Sequence, residues 1–211
     1  MDVGTGFRHI EADMLAITDQ PREAERHTGT AGVSILSVAT AVPRHVVTQN
    51  EVAERAKAVW PQFYKLEQLY ANTGIECRYA CEPQDWYLKP HGWEERSDAF
   101  CRHAMELLER VARDAAGAAG LAIKDIDVLV VNTITGIAVP SLDARLIDRM
   151  EFRSDVGRLL IFGFGCGGGV AGLSRAARLA QSMPDANVLF LTIDLCSLCL
   201  RIDDPSIEMF V

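Results

Sequence analysis

Three short apolar runs constrain the fold of this chain more than any other feature of its sequence. They occupy residues 126–131, 159–162 and 188–191, and they consist almost entirely of β-branched and other apolar side chains. Runs of this length and composition are typical of strands that are buried on both faces of a sheet. Helix-like stretches separate them, and this alternation predicts an α/β layered domain from residue 93 onward.

Capping residues and helical periodicity mark the helices. Thr48 and Glu51 have the spacing of a capping box, Pro61 suits a first helical turn, and Ser141 is a favourable N-cap residue. These signals predict helices from Thr48 to about Ala58, from Pro61 to Gly74, over residues 93–119, and from Ser141 to about Met150. Outside the helices, Val33, Ile35 and Val38 alternate with small residues and predict a strand that ends before Pro43. Residues 75–80 predict a second short strand, and residues 81–92 a loop.

Composition and charge narrow the functional classes. A net charge of −8 argues against a nucleic-acid-binding surface, and no apolar run approaches the ~20 residues of a membrane-spanning helix. Residues 1–31 are polar and predict a flexible leader, without a secretory signal, ahead of a domain over residues 32–211. The six cysteines do not suggest a disulfide scaffold, so we expect a reducing, cytoplasmic compartment.

Cys166 stands among five glycines and a phenylalanine in the segment 163–169, between an apolar run and a helix-like run. This pattern predicts a strand, a tight turn and a helix with the thiol at the helix N-terminus. Unpaired backbone N–H groups there favour a thiolate, and glycines let a substrate approach closely. Cys166 is therefore the best candidate for a covalent nucleophile. From local chemistry alone, a structural cysteine in a glycine-rich turn is the alternative interpretation.

Two other interpretations of these motifs stay open on spacing. Residues 163–168 match the string G-x-G-x-x-G, and Asp194 could serve as the acidic residue of a dinucleotide site. Cys196 and Cys199 have CxxC spacing and could be paired with Cys77 and Cys81 as zinc ligands, although core or pocket cysteines are the simpler interpretation. The five histidines have no spacing that identifies a base for the thiol, and we expect each to be a solvated surface residue.

Three segments in order resemble type III polyketide synthases, the chalcone synthase-like enzymes, in their bacterial branch. Residues 162–173 resemble the nucleophile motif of that family. Residues 132–143 resemble its Thr-Gly-x-x-x-Pro-Ser-x-Asp segment, and residues 194–199 are similar to its Glu-Leu-Cys-Ser-Leu segment. The resemblance extends over residues 33–211.

The resemblance implies a thiolase-like layered fold, of which this chain would be the N-terminal half: a mixed sheet flanked by helices. It also implies a homodimer that takes an acyl group from coenzyme A, condenses it with malonyl-CoA, and needs no cofactor or metal. By resemblance, Cys166 carries the acyl group, and Ile134, Cys196 and Cys199 line the substrate pocket. Val139 would contact the partner subunit's pocket, and Lys65 would contact coenzyme A.

The expected reaction extends a fatty acyl-CoA starter with malonyl-CoA. The family's enolate-stabilising His and Asn lie in its second half, which this sequence does not reach, so we expect the C-terminal half to be missing and this chain alone to be inactive in condensation. Two alternatives are a condensing enzyme similar to ketoacyl-acyl-carrier-protein synthase III and a non-catalytic thiolase-like module used as a dimer scaffold.

Overall fold

The computed structural model describes residues 32–59 and 67–204. The strands within them are β1 (His45–Thr48), β2 (Cys77–Ala80), β3 (Val128–Thr133), β4 (Gly157–Phe162) and β5 (Val188–Thr192). The helices are α1 (Gln49–Val59), α2 (Glu67–Asn72), α3 (Trp93–Ala118), α4 (Leu142–Arg149) and α5 (Gly168–Ser182). Three-residue and four-residue 3₁₀ turns cover Ile123–Asp125, Gly165–Gly167 and Cys196–Cys199.

The three predicted apolar runs form one parallel sheet in the order β4–β3–β5. Val128 of β3 pairs with Gly157 on one side and with Val188 on the other. Every residue of β3 is buried, because this strand has a neighbour at each edge and a helical layer on each face. A parallel sheet needs crossover connections, and α4 and α5 supply them between successive strands.

Helices cover both faces of this sheet and complete a three-layer α/β arrangement. On one face, α3 and α4 pack on Leu129 and Val131 in a core that includes Phe100, Met105 and Leu146. On the other face, α5 packs on Val128, Val130 and Ile161 through Ala176. The predicted α/β layered fold is therefore confirmed.

The capping box at the start of α1 is formed as the sequence predicts. Thr48 N donates to Glu51 Oε2 at 2.8 Å, and Glu51 N donates to Thr48 Oγ1 at 3.2 Å. The strand just before it, β1, pairs antiparallel with β2 in a separate two-stranded sheet, with His45 opposite Ala80. Pro61 lies outside the described residues, and Gly74 follows α2 with a φ of 69°, the left-handed conformation that favours glycine.

Two strand predictions are wrong in detail. Residues 33–42 form no strand, and Ile35 and Val38 are 69% and 79% exposed. Among the described residues no strand pairs with this segment, which instead lies along α3, where Ser37 Oγ donates to Ala115 O at 2.7 Å. The second error concerns β4, which was predicted to be buried on both faces. It is an edge strand, and Leu160 and Phe162 stay half exposed.

Candidate active site

The three parallel strands end together, and the loops that follow them build the site. Thr133, the last residue of β3, is opposite Phe162, the last residue of β4, and Asn132 is opposite Thr192 at the end of β5. Ligands in open α/β sheets bind beyond the carboxyl ends of the strands. The three segments that carry the sequence motifs all leave the sheet at this edge.

Cys166 lies in the Gly165–Gly167 turn between β4 and α5, and the residue is exposed to solvent. Gly163 and Gly165 have φ values of 88° and 54°, so the chain passes through left-handed conformations that a side chain would strain. Gly168, the first residue of α5, is pressed against β3, because an added Cβ would lie 2.5 Å from Asn132 Oδ1. Glycines therefore set both the turn and the position of the helix that carries the thiol.

Ile134, Cys196 and Cys199 are brought together by bonds between the segment after β3 and the segment after β5. Ile134 N donates to Asp194 Oδ1 at 2.9 Å, and Leu195 N donates to Thr135 Oγ1 at 2.8 Å. Cys199 Sγ lies 3.9 Å from Thr135 O. Asp194, the acidic residue that a dinucleotide interpretation requires, is thus engaged with the protein backbone.

Cys196 and Cys199 are exposed free cysteines whose pKa values are nevertheless raised above the ordinary value. Burial raises the pKa of Cys196, and the nearby Asp194 and Cys166 raise it further. Burial is also the main cause that raises the pKa of Cys199, followed by the neighbouring Cys196. Both thiols are therefore held neutral.

The remaining predicted site residues lie elsewhere. Val139 is 88% exposed in the loop that precedes α4, and Lys65 lies outside the described residues. Cys81 is buried, and its backbone N–H donates to Ser197 Oγ at 3.3 Å. Within residues 32–59 and 67–204, no three His, Cys, Asp or Glu side chains are grouped so that they could hold a metal ion.

The prediction of solvated histidines is wrong for two of the five. The imidazole of His91 stacks on Trp86 with ring centroids 3.8 Å apart, and its Nε2 lies 2.8 Å from Trp86 O. His103 Nε2 lies 2.9 Å from Glu82 Oε1. Both side chains are more than four-fifths buried, because the loop over residues 81–92 folds back onto the start of α3 and covers them.

Sequence reasoning missed the residues that hold the Cys196–Cys199 turn and the start of α4 in place. Tyr87 and Arg96 contact the Cys196–Cys199 turn, and Asp143 is buried in an ion pair with Arg158 at 2.7 Å. An arginine in the first turn of a helix is unfavourable for the helix dipole, and this was the one available signal that Arg96 has another role. Ser141 likewise binds Arg158 rather than the backbone of α4.

The sequence model of the N-terminal domain of chalcone and stilbene synthases matches residues 18–208. The chain belongs to this family. It is 37% identical to the 1,3,6,8-tetrahydroxynaphthalene synthase of Streptomyces peucetius over 184 residues, which cover 85% of this chain and 49% of that enzyme. It is 31% identical to the phloroglucinol synthase of Pseudomonas fluorescens, covering 80% of this chain and 49% of the relative.

Solved structures agree with this family assignment. The 1,3,6,8-tetrahydroxynaphthalene synthase of Streptomyces coelicolor, a bacterial type III polyketide synthase, superposes with a TM-score of 0.76 at 34% identity, covering 82% of this chain and 50% of that one. Germicidin synthase from Streptomyces coelicolor gives 0.75 at 25% identity, with coverages of 82% and 54%. The fold is thus the thiolase-like fold of this family, and the chain spans about half the length of these relatives. None of the helices described is long and apolar enough to span a membrane.

Proposed function

We propose that this chain is the acyl-carrying half of a type III polyketide synthase, with Cys166 as the nucleophile. The observation that carries the proposal is the placement of an exposed thiol in the β4–α5 turn, at the carboxyl edge of the parallel sheet where the segment containing Cys196 also leaves β5. A nucleophile needs an open approach, and the exposure of Cys166 in a glycine-rich turn supports this role.

In the proposed first step, the Cys166 thiolate attacks the carbonyl carbon of an acyl-CoA. A new carbon–sulfur bond forms to Cys166, the bond to coenzyme A breaks, and coenzyme A leaves as a thiolate that takes up a proton. In the second step, malonyl-CoA loses carbon dioxide, and its carbanion attacks the enzyme thioester and releases the Cys166 thiolate. The second step needs hydrogen-bond donors for the enolate oxygen.

We propose that this 211-residue chain performs the first step and not the second, because the resemblance places the enolate-stabilising His and Asn in the second half of the family's proteins. Labelled malonyl-CoA, supplied with an acyl-CoA starter, tests this. Thioester without polyketide is the expected result, whereas polyketide formed by this chain alone would refute the division of labour.

The starter is proposed to be an apolar acyl group. A cavity of about 790 Å³ adjoins the site, with Cys196 and Ser197 in its wall and Val47, Leu195 and Leu200 among its apolar lining. Transfer rates from acetyl-, malonyl-, hexanoyl- and lauroyl-CoA measure this preference, and the longer chains should react faster.

The 37% identity to a tetrahydroxynaphthalene synthase favours a second candidate, an enzyme that forms a polyhydroxylated aromatic product from small units. Fast transfer from malonyl-CoA alone would support this candidate.

The acyl donor and the quaternary structure separate the remaining alternatives. Acylation from an acyl carrier protein and not from coenzyme A would indicate an enzyme similar to ketoacyl-acyl-carrier-protein synthase III. An inert Cys166 that iodoacetamide alkylates no faster than a cysteine in a peptide would indicate a non-catalytic module.

We further propose a homodimer in which Val139, 88% exposed, contacts the partner subunit. Sedimentation of Val139→Asp should show a shift toward the monomer. Contact of Lys65 with coenzyme A also remains a proposal.

A further inference from the structure

Cys196 and Ser197 of the Cys196–Cys199 turn are in the wall of the cavity that adjoins the site. The turn is held in place by residues about a hundred positions earlier in the chain, one of which, Tyr87, also lines that cavity. Ser197 Oγ accepts a hydrogen bond from Tyr87 Oη at 3.1 Å and one from the backbone N–H of Cys81 at 3.3 Å. Tyr87 Oη in turn accepts from Glu82 N at 3.1 Å. Burial raises the pKa of Tyr87, which keeps its hydroxyl neutral and able to donate.

Arg96 holds the other end of the same turn. Its Nη1 and Nη2 donate to the carbonyl oxygens of Leu198 and Leu200, and its Nε donates to His91 O at 3.1 Å. The guanidinium is partly buried, and burial lowers its pKa below the usual value. A planar fork of N–H donors can reach two diverging carbonyl groups at once, which an ammonium group on a flexible stem does poorly.

These contacts supply hydrogen bonds that the turn cannot form within itself. A 3₁₀ turn of four residues has poor internal hydrogen bonds and leaves its last carbonyl groups without partners in the turn. A cation at that end is also favourable for the local dipole. Arg96 therefore supplies what the turn lacks, although the residue lies in the first turn of α3, where a positive charge is unfavourable for that helix.

We propose that Arg96 is a positioning residue that fixes the Cys196–Cys199 turn, with Tyr87 as its second support, and thereby sets the pocket volume available to the acyl chain. The ligand in this statement rests on the proposed function. The turn and its two supports do not, so the position of the turn is testable even if the chain accepts no acyl-CoA. Because Cys196 and Ser197 are in the wall of the adjoining cavity, any displacement of the turn changes that cavity.

The first test is the alkylation rate of each cysteine by iodoacetamide, mapped by peptide mass spectrometry near neutral pH. Cys81 is buried, and its backbone N–H donates to Ser197 Oγ of the turn. In Arg96→Met the released turn should therefore expose the Cys81 thiol to water, and its alkylation should become at least about threefold faster. Cys166 should keep its rate. Arg96→Lys should lie between the two, and Arg110→Met, which removes an arginine–carbonyl bond to Val42 O on the same helix, should behave as wild type.

An unchanged Cys81 rate in Arg96→Met, or an equal increase in Arg110→Met, would overturn the proposal. The second test measures kcat/KM for hexanoyl- and lauroyl-CoA transfer in the longest natural form of the protein. A positioning role predicts that Arg96→Met, at a residue that does not line the cavity, alters the ratio between the two starters by at least about threefold. Equal losses for both starters would mean that Arg96 only stabilises the fold. Failure of wild type to accept any acyl-CoA contradicts the proposed function and leaves the alkylation result as the test of the turn.

Discussion

The helical layers on the two faces of the parallel sheet differ in how they are built. The inner side of α3 and α4 carries large apolar residues that fill a closed core, with Phe100, Met105 and Leu146 almost fully buried. The buried residues of α5 are instead Gly168, Gly172 and Ala176.

Small residues let the backbone of α5 approach the sheet closely, and although Leu179 packs against the sheet, two of the larger apolar residues near the start of the helix are exposed. Val170 is 78% exposed and Leu173 is 48% exposed. The first layer therefore provides stability, whereas the second provides position, since the close approach of α5 fixes the turn that carries Cys166. Exposed apolar side chains on such a helix mark a surface suited to further contacts.

The largest expected effect separates the two layers by stability. Leu129 of β3 is fully buried under α3, and Leu129→Ala should lower the free energy of unfolding by about 2–5 kcal/mol, since it leaves a cavity. Val170→Ala on the outer side of α5 should change it by less than about 0.5 kcal/mol. Urea denaturation of both variants measures the difference. Comparable losses in the two variants would show that the outer side of α5 is covered in solution.

The next prediction concerns how closely α5 approaches the sheet. A Cβ at Gly172 would lie 2.4 Å from the ring of Phe190, so Gly172→Ala should destabilise the protein by about 1–3 kcal/mol and slow the reaction of Cys166 with iodoacetamide or acyl-CoA. Gly169 is the matched control, because a Cβ there meets no atom within 4 Å. Gly169→Ala should be neutral or stabilise the helix by about 0.5–1 kcal/mol. A reversed order of the two stabilities would break the argument.

A smaller effect tests the charge of Asp143, which is buried in the first turn of α4. Burial raises the pKa of Asp143, but hydrogen bonds from Ser141 and Arg158 outweigh it, and the net pKa lies below the ordinary value. A carboxyl group with a lowered pKa in the folded state stabilises the protein above its unfolded pKa, and this stability is lost as pH falls through the folded pKa. Asp143→Asn should therefore cost about 1–2 kcal/mol at neutral pH, less than a fully buried pair because Arg158 is half exposed.

The same variant should be less sensitive to acid than wild type. Thermal unfolding from neutral pH down through the pH region below about 4 measures this, and the two curves should converge as Asp143 becomes protonated in wild type. A constant difference between wild type and Asp143→Asn across this range would mean that the charge of Asp143 does not stabilise the fold.

The order of strands and helices was predictable because hydrophobic periodicity is a local property. The parallel sheet, α3, α4, α5 and the capping box at Thr48 all follow from short-range patterns. The segment 33–42 was not predictable in this way, because an alternating sequence forms a strand only where a neighbouring strand pairs with it. The prediction that Leu160 is buried failed for a related reason. The composition of a strand does not say whether the strand lies at the edge of a sheet.

The candidate site was predictable only in part. The glycines around Cys166 predict the strand, turn and helix, and three motifs together pointed to Ile134, Cys196 and Cys199. The supports of the turn were invisible because they act at long range: Tyr87 and Arg96 lie about a hundred positions before the residues they bind. A loop rich in proline and aromatic residues gives no local sign that it folds against a later segment.

The measurement that tests the central claim most directly is the mass of this chain after incubation with hexanoyl-CoA, followed by peptide mapping. The account predicts that one hexanoyl group is added, that it is carried by the peptide containing Cys166, and that hydroxylamine removes it as expected for a thioester. Cys166→Ser should remain unmodified, and Cys196→Ser should still be acylated. Acylation of Cys196 or Cys199 in place of Cys166, or no acylation of the folded wild-type chain, would contradict the account.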